Sequence, residues 1–187
     1  MPKTRTVAVL AGSLRRESYS RKLARALEKL APESLEFEHI SIGKLPHYNE
    51  DMEASGELPE QWVKFRNKVK EADAVLFVTP EYNRSIPGVL KNALDVGSRP
   101  YGQSAWQGKP GAVVSVSPGA IGAFGANHHL RQALTFLDVP TMQQPEAYIG
   151  GAAELFDEEG NLGNESTAAF LSEFMKSFEG WIEANEG

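Results

Sequence analysis

Apolar residues recur along this chain with two periods, and the two alternate. Val7-Ala8-Val9-Leu10-Ala11 is an unbroken run that stops at Gly12, and beyond a polar loop Leu23, Ala26, Leu27 and Leu30 recur at helical spacing. Leu35-Glu36-Phe37-Glu38-His39-Ile40 alternates as a second strand, and Ile42 to Gly56 reads as a loop on Gly43, Pro46, Asn49 and Gly56. Leu58, Trp62, Phe65 and Val69 mark the core face of an amphipathic helix whose polar positions include Lys64, Lys68 and Lys70. Ala74-Val75-Leu76-Phe77-Val78-Thr79 is the pattern of a central parallel strand buried on both faces. Pro87 suits the first position of a helix that Val89, Leu90, Ala93 and Leu94 continue.

Gly97 to Lys109 reads as a loop containing Trp106, and Ala112 to Ser117 as the fourth strand. A helix from Ala126 to Leu137 follows, burying Leu130, Leu134 and Leu137. A fifth strand is expected between Val139 and Ile149, interrupted by Pro140 and Pro145. The last helix sets Phe170, Phe174, Phe178 and Trp181 toward the sheet. Strands alternating with helices predict an α/β fold with a doubly wound parallel sheet. No repeat or linker divides the chain, so residues 1–187 are expected to form one domain.

Composition narrows the partners. At 41% hydrophobic content, 187 residues can bury a sizeable core. A net charge of -6 and a pI near 5.3 argue against nucleic acid or an anionic membrane as the main partner. No apolar run is long enough to span a bilayer, and the first strand starts too early to leave room for a signal peptide, so a cytoplasmic location is expected. The absence of cysteine excludes disulfides, thiolate catalysis and cysteine-ligated clusters. Any redox chemistry must therefore come from a bound cofactor.

The candidate chemistry lies in three loops that follow strands. The first, Gly12-Ser13-Leu14-Arg15-Arg16-Glu17-Ser18-Tyr19-Ser20, leads into a helix whose free first-turn amides and dipole favour an anion. Ser13, Ser18 and Ser20 offer hydroxyl donors and Arg15 a planar fork, a set suited to a phosphate monoester. No Walker lysine and no G-x-G-x-x-G fingerprint accompany it. Equally compatible with this loop alone, Ser18 or Ser20 caps the helix and the arginines are solvated. The second loop, Pro80-Glu81-Tyr82-Asn83-Arg84-Ser85-Ile86-Pro87-Gly88, follows the central strand, where an open α/β sheet places its ligand. The third, Pro118-Gly119-Ala120-Ile121-Gly122-Ala123-Phe124-Gly125, has glycines that let backbone approach a flat ligand. Ligand loops after strands one, three and four match the flavodoxin-like order 2-1-3-4-5, with flavin mononucleotide (FMN) at the switch point between strands one and three.

Other motifs read as structural. Asp157-Glu158-Glu159-Gly160-Asn161 has its glycine one place early for a calcium loop and reads as a turn. His128 and His129 are adjacent on a helix and point apart, a poor metal geometry. No metal site is assigned. A phosphorylated receiver needs an aspartate where Thr79-Pro80 stands, and a serine hydrolase needs a glycine two places before Ser117. A flavodoxin-like electron carrier serving protein partners is the alternative that the acidic surface suits.

Three stretches together resemble the NAD(P)H-dependent FMN reductases that include bacterial quinone and chromate reductases. They are Gly12-Ser13-Leu14-Arg15 with Ser18 and Ser20; Thr79-Pro80-Glu81-Tyr82-Asn83 with Ser85, Pro87-Gly88 and Leu90-Lys91-Asn92-Ala93; and Ser117 with Gly119, followed by His129-Leu130-Arg131-Gln132. The resemblance implies a non-covalent FMN. Its phosphate would lie in the loop of Ser13, Leu14, Arg15, Ser18, Tyr19 and Ser20, and its ring against Pro80, Glu81, Tyr82, Asn83, Arg84, Ser117 and Gly119. It implies NAD(P)H as co-substrate, no catalytic side chain, and alternating (ping-pong) two-electron transfer to a small-molecule acceptor: a quinone, chromate, an azo dye or free flavin. It also implies a homodimer or homotetramer with the site near the dimer interface. This chain departs from the pattern at Arg84, where close relatives often carry an aromatic, and at Gly125, where some carry an arginine proposed to link subunits.

Overall fold

The computed structural model describes residues 3–186; residues 1, 2 and 187 of the expected domain lie outside them. Five parallel strands form its centre: β1 (Arg5–Ala11), β2 (Leu35–His39), β3 (Ala74–Thr79), β4 (Gly111–Val116) and β5 (Ala147–Ile149). Their order is β2-β1-β3-β4-β5, the flavodoxin-like order. In register, Val9 pairs with Leu76, and Val78 pairs with Val114. The chain steps over β1 between β2 and β3, so the switch point lies between β1 and β3 at their carboxyl ends.

Among the described residues six α-helices, α1 (Tyr19–Leu30), α2 (Glu50–Ser55), α3 (Glu60–Glu71), α4 (Gly88–Gly97), α5 (Phe124–Phe136) and α6 (Glu165–Ala184), and a short 3-10 turn (Ala152–Glu154) accompany the sheet. The alternation along each strand sorts them into two layers. Val7, Val9, Leu76, Val78 and Val114 meet Leu23 and Leu27 of α1 and Phe174 and Phe178 of α6. Ala8, Leu10, Val75, Phe77 and Val113 face the other way, onto Trp62 and Phe65 of α3, Leu90 and Leu94 of α4, and Leu130 and Leu134 of α5. Burial of both faces is what the apolar runs of β3 and β4 encode.

Four expectations change. The region read as a loop from Ile42 to Gly56 contains α2, a short polar helix with no buried face to betray it. Asn49 Oδ1 accepts from the Asp51 amide at 3.0 Å, left-handed Gly56 (φ 76°) closes its end, and Glu53 pairs with buried Arg66 at 2.7 Å. Pro87 precedes α4 rather than starting it, with its carbonyl accepting from the Leu90 amide. β5 shrinks to three residues, because Pro140 and Pro145 bring no N–H to a ladder. In α6 the inward stripe is Leu171, Phe174, Met175, Phe178 and Ile182, whereas Phe170 is exposed and Trp181 half-buried, its indole N–H donating to the Pro140 carbonyl at 2.8 Å. Among the described residues no helix is long and apolar enough to cross a membrane.

Candidate active site

The loops after β1, β3 and β4 leave the same edge of the sheet, and the first two start side by side. The Gly12 amide donates to Val78 O at 2.9 Å, and a Cβ on Gly12 would stand 3.0 Å from Pro80 Cδ. A side chain on Gly12 would crowd the place where the two turns touch. Ser13 Oγ then reaches the Tyr82 hydroxyl, 3.5 Å away. The Arg15 amide donates to Ser13 Oγ at 3.4 Å, which folds the loop back on itself.

Ser18 is the N-cap of α1, with its hydroxyl accepting from the Arg21 amide at 3.3 Å. Its hydroxyl proton stays free to donate elsewhere. The amides of Tyr19 and Ser20 open the helix and have no intrahelical acceptor. Ser20 is 1% exposed, and its hydroxyl has no partner. A buried hydroxyl without a partner is costly unless a ligand completes it. Leu14 and Arg15 are exposed, and no carboxylate of the described residues pairs with the Arg15 guanidinium. The Tyr19 ring turns inward and stacks on Phe156 with centroids 6.4 Å apart, so this loop is left with the Tyr19 main chain alone.

The second loop is a four-residue hairpin. Tyr82 and Ser85 exchange both main-chain hydrogen bonds (2.9 and 3.1 Å), and the two residues between them, Asn83 (φ 53°) and Arg84 (φ 63°), are left-handed, as in a type I′ turn. Tyr82 (45% exposed), Asn83 and Arg84 face solvent. Glu81 turns away from it: one carboxylate oxygen accepts from the Ala126 amide at 3.0 Å and the other from Arg84 at 3.1 Å. Ser85 Oγ lies 3.0 Å from His129 Nδ1. Sequence reasoning missed this role of Ser85 and His129, although both stood inside quoted motifs; their separation along the chain hides the pairing.

The third loop is short and tightly folded. Ser117 Oγ donates to Gly119 O at 3.1 Å, and a Cβ on Gly122 (φ 57°) would strike the Tyr148 main chain at 2.4 Å. Behind it, Asn127 Nδ2 donates to Ser115 Oγ at 3.1 Å, and Arg131 donates to Asn127 Oδ1 and to Met142 O. Burial lowers the affinity of the Arg131 guanidinium for its proton. Burial, then the neighbouring Glu146 carboxylate, pushes the Tyr148 hydroxyl up to about 12. His128 Nε2 meets that hydroxyl at 2.9 Å, and both rings pack on Phe124.

Residues 5–154 match the family described as NADPH-dependent FMN reductase. The chain belongs to that family. This FMN reductase is 63% identical over 185 residues to a quinone reductase of Pseudomonas putida, covering 99% of this chain and 98% of the relative. It is 47% identical over 176 residues to a 2-hydroxy-1,4-benzoquinone reductase of a Burkholderia species, covering 94% and 95%. Its structure is similar to that of FerB, a flavoenzyme NAD(P)H:(acceptor) oxidoreductase from Paracoccus denitrificans, with a TM-score of 0.91 at 47% identity over 97% and 99% of the two chains. The reductase is an oxidoreductase with FMN as cofactor and NAD(P)H as electron donor. The residues present fit that cofactor. The orphaned Ser20 hydroxyl, the unpaired Arg15 and two free helix amides form a donor set for a dianionic phosphate beside an exposed hairpin.

Proposed function

We propose that the chain is an NAD(P)H:quinone oxidoreductase, a single cytoplasmic domain in which one site serves donor and acceptor in turn. The junction of the first two loops supports it best: a hydroxyl and guanidinium cradle meets the hairpin through Ser13 and Tyr82 at the switch point of the sheet. When bound, FMN supplies reversible two-electron chemistry. The side chains of Ser13, Arg15, Ser18 and Ser20, with the main chain of Leu14 and Tyr19, hold its phosphate. The main chain of Pro80 to Arg84, the Asn83 amide, Ser117 and Gly119 hold its ring. Nicotinamide and quinone would enter in alternation beside the exposed hairpin, each leaving before the other binds.

The protein's share is positioning and charge. The helix amides and Arg15 neutralise the phosphate, and exposed Tyr82, Asn83 and Arg84 leave one side open for a flat acceptor. No side chain is assigned as acid or base: His129 is engaged by Ser85, His128 by Tyr148, and water protonates the reduced acceptor. The quinone reductase relatives support a quinone as acceptor. Chromate, azo dyes and free flavin are the acceptors to screen beside it. A homodimer or homotetramer is part of the proposal; Phe136, 88% exposed at the end of α5, is an apolar side chain that a second copy would cover.

Anaerobic addition of NADH or NADPH to the FMN-loaded chain tests the reading. The yellow colour should bleach with no partner protein present and return when benzoquinone is added. Colour that survives reduced nucleotide for minutes refutes a reductase and favours a carrier that takes electrons from proteins.

A further inference from the structure

We infer that Glu81 is a positioning residue that locks the hairpin to the start of α5, in a seat that glycine at position 125 keeps uncrowded in this chain. This rests on the reading that the hairpin faces the flavin ring. Helix α5 starts after left-handed Ala123 (φ 60°) with no side-chain cap of its own. Its first-turn amides therefore need an acceptor from elsewhere. Glu81 supplies one across 45 positions of sequence, with Oε2 accepting from the Ala126 amide at 3.0 Å. A carboxylate there also answers the positive end of the helix dipole. The Glu81 side chain is only 12% exposed, and Oε1 accepts from Arg84 inside the same hairpin.

Gly125 makes room for that carboxylate. Its φ is not among the positive ones, so its backbone would suit any L residue. Space is the constraint: a Cβ would stand 2.9 Å from Glu81 Oε2 and 3.2 Å from Arg84 O. One turn further on, His129 holds Ser85 at 3.0 Å from the same face of α5 as Ala126. Asn83 and Arg84 lie between these two clamps, in a conformation that persists only where the surroundings over-determine it. The lock thus shapes the hairpin through contacts within the chain. Without it, the hairpin must be ordered at the moment of binding, and affinity falls. Since the hairpin meets the ring and not the phosphate, FMN and riboflavin should suffer alike.

The test uses the full chain stripped of flavin and titrated with FMN and with riboflavin by flavin fluorescence. Wild type is compared with Glu81→Ala, Glu81→Gln, Gly125→Ala and the Glu81→Ala/Gly125→Ala pair. Glu81→Ala and Gly125→Ala should each weaken both flavins by about tenfold, the scale of one charge-assisted hydrogen bond. The pair should be no worse than the worse single variant, since both disable one lock. Glu81→Gln keeps an acceptor for the Ala126 amide and should recover most of the loss. Wild-type affinity in Glu81→Ala, a loss confined to FMN, or losses that multiply in the pair would overturn the lock. If Glu81→Ala does not fold, Gly125→Ala decides: unchanged affinity for both flavins overturns it. A wild-type chain that binds neither flavin refutes the site reading instead. The lock is then judged by thermal midpoints of the flavin-free chains, where the drops in the single variants must again fail to add.

Discussion

Ser13 Oγ and the Tyr82 hydroxyl stand 3.5 Å apart, although 69 positions separate them in the chain. The parallel pairing of β1 with β3 puts the ends of both strands at one place, and Gly12 lets the turns close on each other. A ligand with an anionic tail and a flat head can therefore be held by two loops whose separation is set by the sheet. The two ends of the site can be tested separately.

Arg15→Ala tests the anionic end. The guanidinium is exposed and without a carboxylate partner among the described residues, so its loss should leave folding untouched. FMN should bind more weakly by about 1.5–3 kcal/mol, the scale of a hydrogen bond to a charged group. Riboflavin has no phosphate and should bind variant and wild type equally. Unchanged FMN affinity would make Arg15 a surface residue only.

Ser20→Ala should move two quantities in opposite directions. The hydroxyl is buried and has no partner among the described residues, so removing it should raise the urea midpoint of the chain stripped of flavin, by up to about 1 kcal/mol in stability. The same change takes a donor from the phosphate cradle and should weaken FMN. A fall in flavin-free stability would mean that Ser20 has a partner within the protein.

Much of this site can be read in the chain before any coordinates. The apolar runs of β3 and β4 fix the sheet, and the hydroxyls after Gly12 mark an anion loop because a strand-to-helix turn leaves amides free. What could not be read is non-local or aperiodic. Trp106 stands in a polar stretch with no period to mark it, yet unlike exposed Tyr101 near it in sequence it is fully buried, with its N–H on the Leu94 carbonyl. Glu81 looks like a member of the ring-facing loop, whereas its carboxylate serves a helix that starts 43 residues later. α2 lacks an apolar stripe, and its stabilising ion pair comes from α3. In each case the deciding partner lies in another element.

Gly97→Ala should destabilise the fold without reaching the cradle. A Cβ at the end of α4 would stand 2.5 Å from the Trp106 indole, which is wedged between Phe65 and Phe77. Overpacking of this kind costs about 1–3 kcal/mol. Chemical denaturation should report the loss, while FMN affinity of the folded fraction stays unchanged. A fully stable variant would show that the indole has space into which it can retreat.

Tyr148 predicts an alkaline limit to stability. Burial, then the Glu146 carboxylate, raises its pKa from 10.0 to about 12 in the folded chain, because both disfavour the phenolate. In the unfolded chain it ionises near its ordinary value. The folded state therefore holds a proton that the unfolded state has released between about pH 10 and pH 12, and stability falls as pH rises through that window. Below it the contribution is complete and flat. Tyr148→Phe removes the titration together with the hydrogen bond to His128, so the variant should be somewhat less stable at pH 8 and lose less than wild type from pH 10 upward. Denaturant midpoints of both proteins across pH 8 to 12 should converge. Parallel curves would mean that the Tyr148 hydroxyl titrates alike in the folded and unfolded chains.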